Sequence, residues 1–224
     1  MRPCELLSCQ KVYPPLLEIA HVRSNLSMHL AISRTLAFVL TVSYVANAAP
    51  MKTGERQRLV AHFELTRAWL LDEVSGLSTA QLQFHPSEGA WSIAEVIEHL
   101  HIAEPIYWQQ LKDSLKAPAS EQKPAATDAD ILWYGIDRTV RQKTEPRKVP
   151  NAETIRTSEG LDAFRKLHDE MLQYARETQA DLRSHVLPEE GVDSYQWFVG
   201  ISAHTMRHIL QIREVKANPS FPRK

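Results

Sequence analysis

Residues 193–217 read DSYQWFVGISAHTMRHILQIREVKA. Trp197, Ile201, His204, His208, Ile212 and Val215 follow at intervals of four, three, four, four and three. That is the spacing of one helical face, so the stretch reads as an amphipathic α-helix. Asp193 is a good N-cap and Asn218-Pro219 closes the run, which predicts a helix from Asp193 to about Ala217. Two histidines fall on the apolar face. A buried polar ring is costly unless bonded, so something inside the fold must satisfy both.

Outward from this helix the pattern repeats. About Ser158 to Thr178 predicts another, with Leu161, Phe164, Leu167, Met171, Leu172 and Ala175 inward. A first helix is predicted from about Gly54 to Val74, with Leu59, Phe63, Thr66, Leu70 and Val74 on one face and Gly76 as its stop. Ser78 to Phe84 reads as a short helical turn. Ser92-Ile93-Ala94-Glu95 is a capping box that opens a second long helix. Pro105 inside that run should kink it, or end it and start another. Residues 117–157 are irregular, with four prolines and one helix candidate, Asp130 to Lys143. Four long amphipathic helices without strands predict an all-α, antiparallel four-helix bundle with a long irregular crossover.

Composition narrows the function. The chain has 224 residues, a formal net charge of −1, seven Gly and two Cys. Near-zero charge gives no whole-protein argument for nucleic acid, and no nucleic-acid-binding residue is assigned. So few glycines argue against glycine-rich phosphate loops. Two cysteines make neither a disulfide scaffold nor a cysteine-rich zinc module.

The N-terminus reads as targeting sequence. Arg34 precedes an uncharged run, Thr35 to Ala46, followed by Ala46-Asn47-Ala48 and Pro50. A basic start, a short apolar segment and a small-x-small site describe a secretory leader, and about 20 residues would be needed to span a bilayer. The expected division is residues 1–27 as an over-long start or an arm, 28–49 as a signal peptide, and 50–224 as the folded domain. On that reading the protein is exported (periplasmic or secreted), has no stable membrane span, and loses Cys4 and Cys9 with the leader. If Met1 is the true start, it is cytoplasmic.

The histidines carry the chemistry. His204 and His208, at i and i+4, can both reach one metal. The Glu of H-E-x-x-H is absent, since Thr205, Met206 and Arg207 lie between them. The spacing alone leaves two readings open, a metal pair or two core histidines bonded to neighbours. Helix two offers His99 and His101 as a third ligand, about 200° apart on a helix. Glu95, one turn before His99, and Gln211, three after His208, are candidate partners that orient the ligands. Glu98-x-x-His101 matches half of a di-iron motif, but residues 50–224 hold no second copy. His168 is a reserve ligand. His62, His85 and His185 show no partner spacing.

Gly89-Ala90-Trp91-Ser92-Ile93-Ala94-Glu95-Val96-Ile97-Glu98-His99-Leu100 resembles the helix-two signature of the DinB/YfiT-like metalloprotein superfamily. Tyr195-Gln196-Trp197 and Ala203-His204-Thr205-Met206-Arg207-His208-Ile209-Leu210-Gln211-Ile212 resemble its last-helix signature. The resemblance covers about residues 53–217. It implies an up-down-down-up four-helix bundle and a divalent metal, often zinc or nickel, held by His99, His204 and His208. It implies homodimers as a common assembly, and an unidentified small-molecule substrate.

Three imidazoles leave a coordination position for water or substrate, which is the pattern of catalytic rather than structural sites. The resemblance implies thiol transfer or a thiol-dependent isomerisation, and the open metal position also suits hydrolysis, so the expectation is a metal-dependent enzyme of hydrolase or thiol-transferase type. Export would remove the protein from cytosolic thiols and so favours hydrolysis. The alternatives are a non-catalytic metal- or ligand-binding bundle, and a purely structural bundle. The catalytic residues stay unassigned. Because ligating imidazoles must be neutral, metal affinity should fall below about pH 6.

Overall fold

The computed structural model describes residues 49–141, 143–151 and 157–223. The leader assignment, Cys4 and Cys9 lie outside the described residues. Six α-helices are present among those described: α1 Thr53–Val74, α2 Thr79–Leu82, α3 Ile93–Ser114, α4 Asp128–Ile136, α5 Thr157–Glu177 and α6 Ser194–Lys216. The two-residue strands β1 Val186–Leu187 and β2 Val192–Asp193 pair antiparallel just before α6. No strand was expected, and this hairpin serves to aim Asp193 at the start of α6.

The helix starts are set by the local chemistry expected of them. In α3, the Glu95 amide donates to Ser92 Oγ at 3.2 Å and the Ser92 amide to Glu95 Oε2 at 2.7 Å. In α6, the Gln196 amide donates to the Asp193 carboxylate at 2.7 Å and the Asp193 amide to the Gln196 side chain at 3.1 Å. Each box satisfies otherwise orphaned donors. α3 continues through Pro105 instead of ending there. Its residues on either side, Ala103, Glu104, Trp108 and Leu111, are buried, and packing of that kind offsets the roughly 3 kcal/mol that an interior proline costs.

Side-chain contacts give the direction of each long helix. Tyr195 donates to the Glu55 carbonyl and Lys216 pairs with Glu73, so α1 and α6 run parallel. His168 meets Glu104 and Trp108 meets Glu170, so α3 and α5 run parallel. His99 meets His204 while Ser114 meets Ser194, so α3 and α6 run antiparallel. Arg56 reaches the Ala175 carbonyl and Arg67 pairs with Asp169, so α1 and α5 are antiparallel. The order is up, down, down, up. Two parallel helices consecutive in this scheme, α3 and α5, need a connection that returns along the bundle. The long crossover is that connection, and its α4 packs on α6. The approach is close: a Cβ on Gly135 would lie 2.8 Å from the Ala203 carbonyl oxygen.

The core has two apolar parts. One gathers Leu59, Phe63, Trp108, Leu111, Met171 and Phe198. The other gathers Leu70, Val96, Ile97, Phe164, Ile209 and Ile212. Between them every long helix contributes buried polar groups: Thr66 from α1, Glu104 from α3, His168 from α5, and Ser202, His204 and Thr205 from α6. The histidines of interest belong to this polar layer.

Candidate metal centre

His99 on α3 and His204 and His208 on α6 converge. All three are buried, at 3%, 5% and 7% exposure. His204 Nε2 lies 3.1 Å from His99 Nε2 and 3.1 Å from His208 Nε2. One ligand atom from each residue falls within 4.8 Å of the others, which makes a group able to hold a metal ion.

The outer nitrogens fix which ring atoms face inward. His99 Nδ1 donates to the Lys148 carbonyl at 2.7 Å, and His208 Nδ1 donates to Gln211 Oε1 at 2.9 Å. A neutral imidazole with its proton on Nδ1 presents a bare lone pair at Nε2. Two such lone pairs therefore point at His204 Nε2, which can donate its own proton to them or, with its proton on Nδ1, turn a third lone pair to a cation they share. Nitrogens bound at about 2.0–2.1 Å to one metal, at angles from square to tetrahedral, stand about 3 Å apart. The donor set fits a divalent ion. It also fits the usual outer arrangement, in which the second ring nitrogen is held by a carbonyl or amide oxygen.

Burial disfavours the charged form of these rings. It holds His99 down at about 4, with the neighbouring His204 adding to the effect, and it pushes His208 well below the ordinary histidine range. Protons therefore compete for His99 near pH 4, not at the pH 6 expected from an ordinary imidazole. This has a consequence for the metal-free chain. The unfolded state takes up the His99 proton near pH 6.5 while the folded state does not until about 4. Stability from this group is complete above 6.5 and is lost as pH falls between those values, by about 3 kcal/mol. Urea unfolding in chelator across pH 7 to 4 should show that loss. His99→Gln should remove the share of His99 and leave that of His208, which is also lowered by burial, and an equal slope in the variant would refute the assignment.

Behind His204 lies Glu104, fully buried. Its Oε1 accepts from Thr205 at 2.6 Å and its Oε2 meets His168 Nε2 at 2.8 Å. Burial alone would raise this carboxyl, but the charge and hydrogen bond of His168 outweigh it and hold it at about 2. His204 Nδ1 is buried without a hydrogen-bond partner among the described residues, and Glu104 Oε1 stands 4.0 Å from it.

The cluster opens onto a cavity of about 650 Å³, of the size that takes small molecules. Trp91 forms one wall, stacked 6.4 Å from the His208 ring and 4.9 Å from that of His99. Tyr107 and Tyr134 form another, and the crossover lines the open mouth. Burial, then Glu145 and Glu104, push the Tyr107 hydroxyl up to about 12, so it stays protonated and can donate.

Of the expected site residues, His99, His204, His208 and Gln211 are brought together. Glu95 is not: its carboxylate is engaged by the Ser92 amide and by His85 Nε2 at 2.8 Å, so it secures the start of α3. The Lys148 carbonyl takes the orienting role on His99 instead. His101 is half-buried outside the cluster, and His168 serves Glu104 rather than the three rings. His62 bonds Ser202 at 2.6 Å. Glu104 was missed, though it left a signal. Ile97, Leu100, Glu104, Trp108 and Leu111 step by three and four, which places one charge in an apolar stripe. Lys148 left none, because a carbonyl contact across 49 positions depends on where the crossover lies.

Known proteins share this architecture. YuaE of Bacillus subtilis strain 168, an uncharacterised protein, is 27% identical over 160 residues, covering 69% of this chain and 94% of its own. The solved structure of YfiT from Bacillus subtilis is described as a probable metal-dependent hydrolase with an unusual four-helix bundle topology. It matches with a TM-score of 0.53 at 18% identity, over 77% of this chain and 91% of that one, a likeness of fold. The family model of the DinB superfamily matches residues 62–212, across the three converging histidines, and the chain belongs to that superfamily.

Proposed function

We propose that this chain binds a divalent metal, zinc or nickel, through His99, His204 and His208, and uses it to transform a small molecule. The observation that carries this reading is the convergence of three Nε2 atoms, 3.1 Å apart in two pairs, at the floor of a cavity. When bound, such an ion lowers the pKa of a water or thiol that reaches it and polarises a carbonyl. The chain supplies the rest. The Lys148 carbonyl and Gln211 orient two rings, Trp91 shields them, and Tyr107 offers a proton-bearing hydroxyl to a developing negative charge. Hydrolysis is favoured over thiol transfer by the leader pattern in residues 28–48, and by the description of YfiT as a probable metal-dependent hydrolase.

A second reading, metal or ligand binding without turnover, draws on Tyr107. A hydroxyl held near 12 is a donor and not a base. One experiment addresses both. Metal content of the purified full chain is measured, followed by ester, amide and thiol-transfer assays of the zinc- and nickel-loaded protein with and without chelator. Chelator-sensitive turnover supports the enzyme. Stoichiometric metal without turnover supports the second reading. No metal uptake refutes the enzyme and leaves only ligand binding of the second reading.

A further inference from the structure

The cavity has a charge that the chain as a whole does not. Five basic residues line it: Arg138, Arg141, Lys143, Lys148 and Arg207. Its acidic residues are two, Glu145 and Glu214. The formal excess is three positive charges, in a protein whose net charge is −1. The two acids are already committed. Glu214 receives Arg138 through paired contacts of 2.9 and 2.8 Å, and Glu145 receives Lys148 at 2.7 Å.

The three remaining cations differ in role. Arg207 is buried, at 5% exposure. Its guanidinium donates to the main-chain carbonyls of Tyr134, Asp137 and Val140, and lies 5.0 Å from the Tyr134 ring. Carbonyl dipoles take three of its five hydrogens, yet no carboxylate among the described residues comes within ion-pair distance of it. Its positive field is thus built into the wall one residue from His208. Arg141 and Lys143 are exposed on the crossover, with no ion pair among the described residues, and face the same cavity. A half-enclosed cleft lined by one sign of charge concentrates ligands of the other sign. The three imidazoles carry no negative charge to reduce that sign, and a divalent ion would add to it.

We infer that the substrate is a small anion, a molecule bearing a carboxylate or phosphoryl group that Arg141 and Lys143 receive at the mouth while its reactive bond reaches the histidine cluster. This rests on the metal-centre reading for the chemistry but not for the binding. The aromatic walls, Trp91, Tyr107 and Tyr134, suit a flat apolar body behind the charged group.

The test uses the full chain, with and without zinc, titrated calorimetrically with benzoate, phenyl phosphate and neutral benzamide. Both anions should outbind benzamide in each state of the protein, and the tighter of the two identifies the charged group. The double variant Arg141→Gln/Lys143→Gln should weaken anion binding about fivefold to tenfold, leaving benzamide and zinc affinity unchanged. Its thermal unfolding should match the parent, since both side chains are exposed. Benzamide binding as tightly as benzoate would overturn the inference, as would full anion affinity in the double variant. If zinc is not taken up, the metal-centre reading fails. The metal-free titrations then decide the anion site by the same criteria.

Discussion

Replacing Glu104 by leucine is expected to destabilise the chain by about 3–5 kcal/mol, because it leaves two buried donors unsatisfied at roughly 1–3 kcal/mol each. Glu104 has no exposed surface, and its two oxygens serve Thr205 at 2.6 Å and His168 at 2.8 Å. Leucine fills the volume but accepts nothing. His168 is equally buried, with Phe164 at 3.9 Å and Phe63 at 5.5 Å between ring centres. Its Nδ1 already lacks a partner among the described residues, so none of them offers a second oxygen to turn to. The double variant Glu104→Leu/His168→Leu removes the need along with the partner. It should recover most of the lost stability, because replacing a whole buried pair with apolar groups is often near neutral. Urea unfolding of the parent, both single variants and the double measures the coupling. Additive losses would show that the pair is not what the core depends on here.

The second large effect falls on metal binding. His204 is the central member of the proposed ligand set, since its Nε2 is the atom both other rings approach. His204→Ala leaves two nitrogens. Structural zinc sites with four ligands bind with roughly 10–16 kcal/mol, or about 3 kcal/mol for each ligand, so affinity should fall on the order of a hundredfold or more. Zinc competition against a chromogenic chelator gives the affinity directly. A companion thermal scan should lose the zinc-dependent rise in melting temperature expected of the parent, because stabilisation follows ligand occupancy. Undiminished zinc affinity in the variant would remove His204 from the site. His101→Ala serves as the control on α3: its ring lies outside the cluster, and affinity should hold.

Both effects come from one polar layer, and the two halves of that layer were unequally legible. The i, i+4 spacing of His204 and His208 on an apolar face is local, as is Gln211 one turn on, so the sequence carries it. His99 and His101 could not be separated by spacing, because helical geometry states only that they diverge. The family resemblance preferred His99, and the packing of α3 against α6 brings that ring to His204. Glu95 shows how a correct local pattern can mislead. The same residue closes a capping box and sits one turn from His99, but its carboxylate can satisfy only one demand, and the Ser92 amide and His85 have it.

The sequence by itself determined the helices. Their starts are written in Ser92 and Asp193, and their buried faces in the three-four spacing of apolar residues, since capping and amphipathicity are short-range physics. The up-down-down-up order came from the family resemblance and not from periodicity, and only the tertiary structure decided the path of the crossover, and with it the Lys148 carbonyl on His99 and the basic mouth of the cavity. Helical periodicity says which face a helix buries, but the burial of apolar surface is non-directional. Which neighbour covers that face, and what a loop lays across it, is settled by the packing of the whole chain.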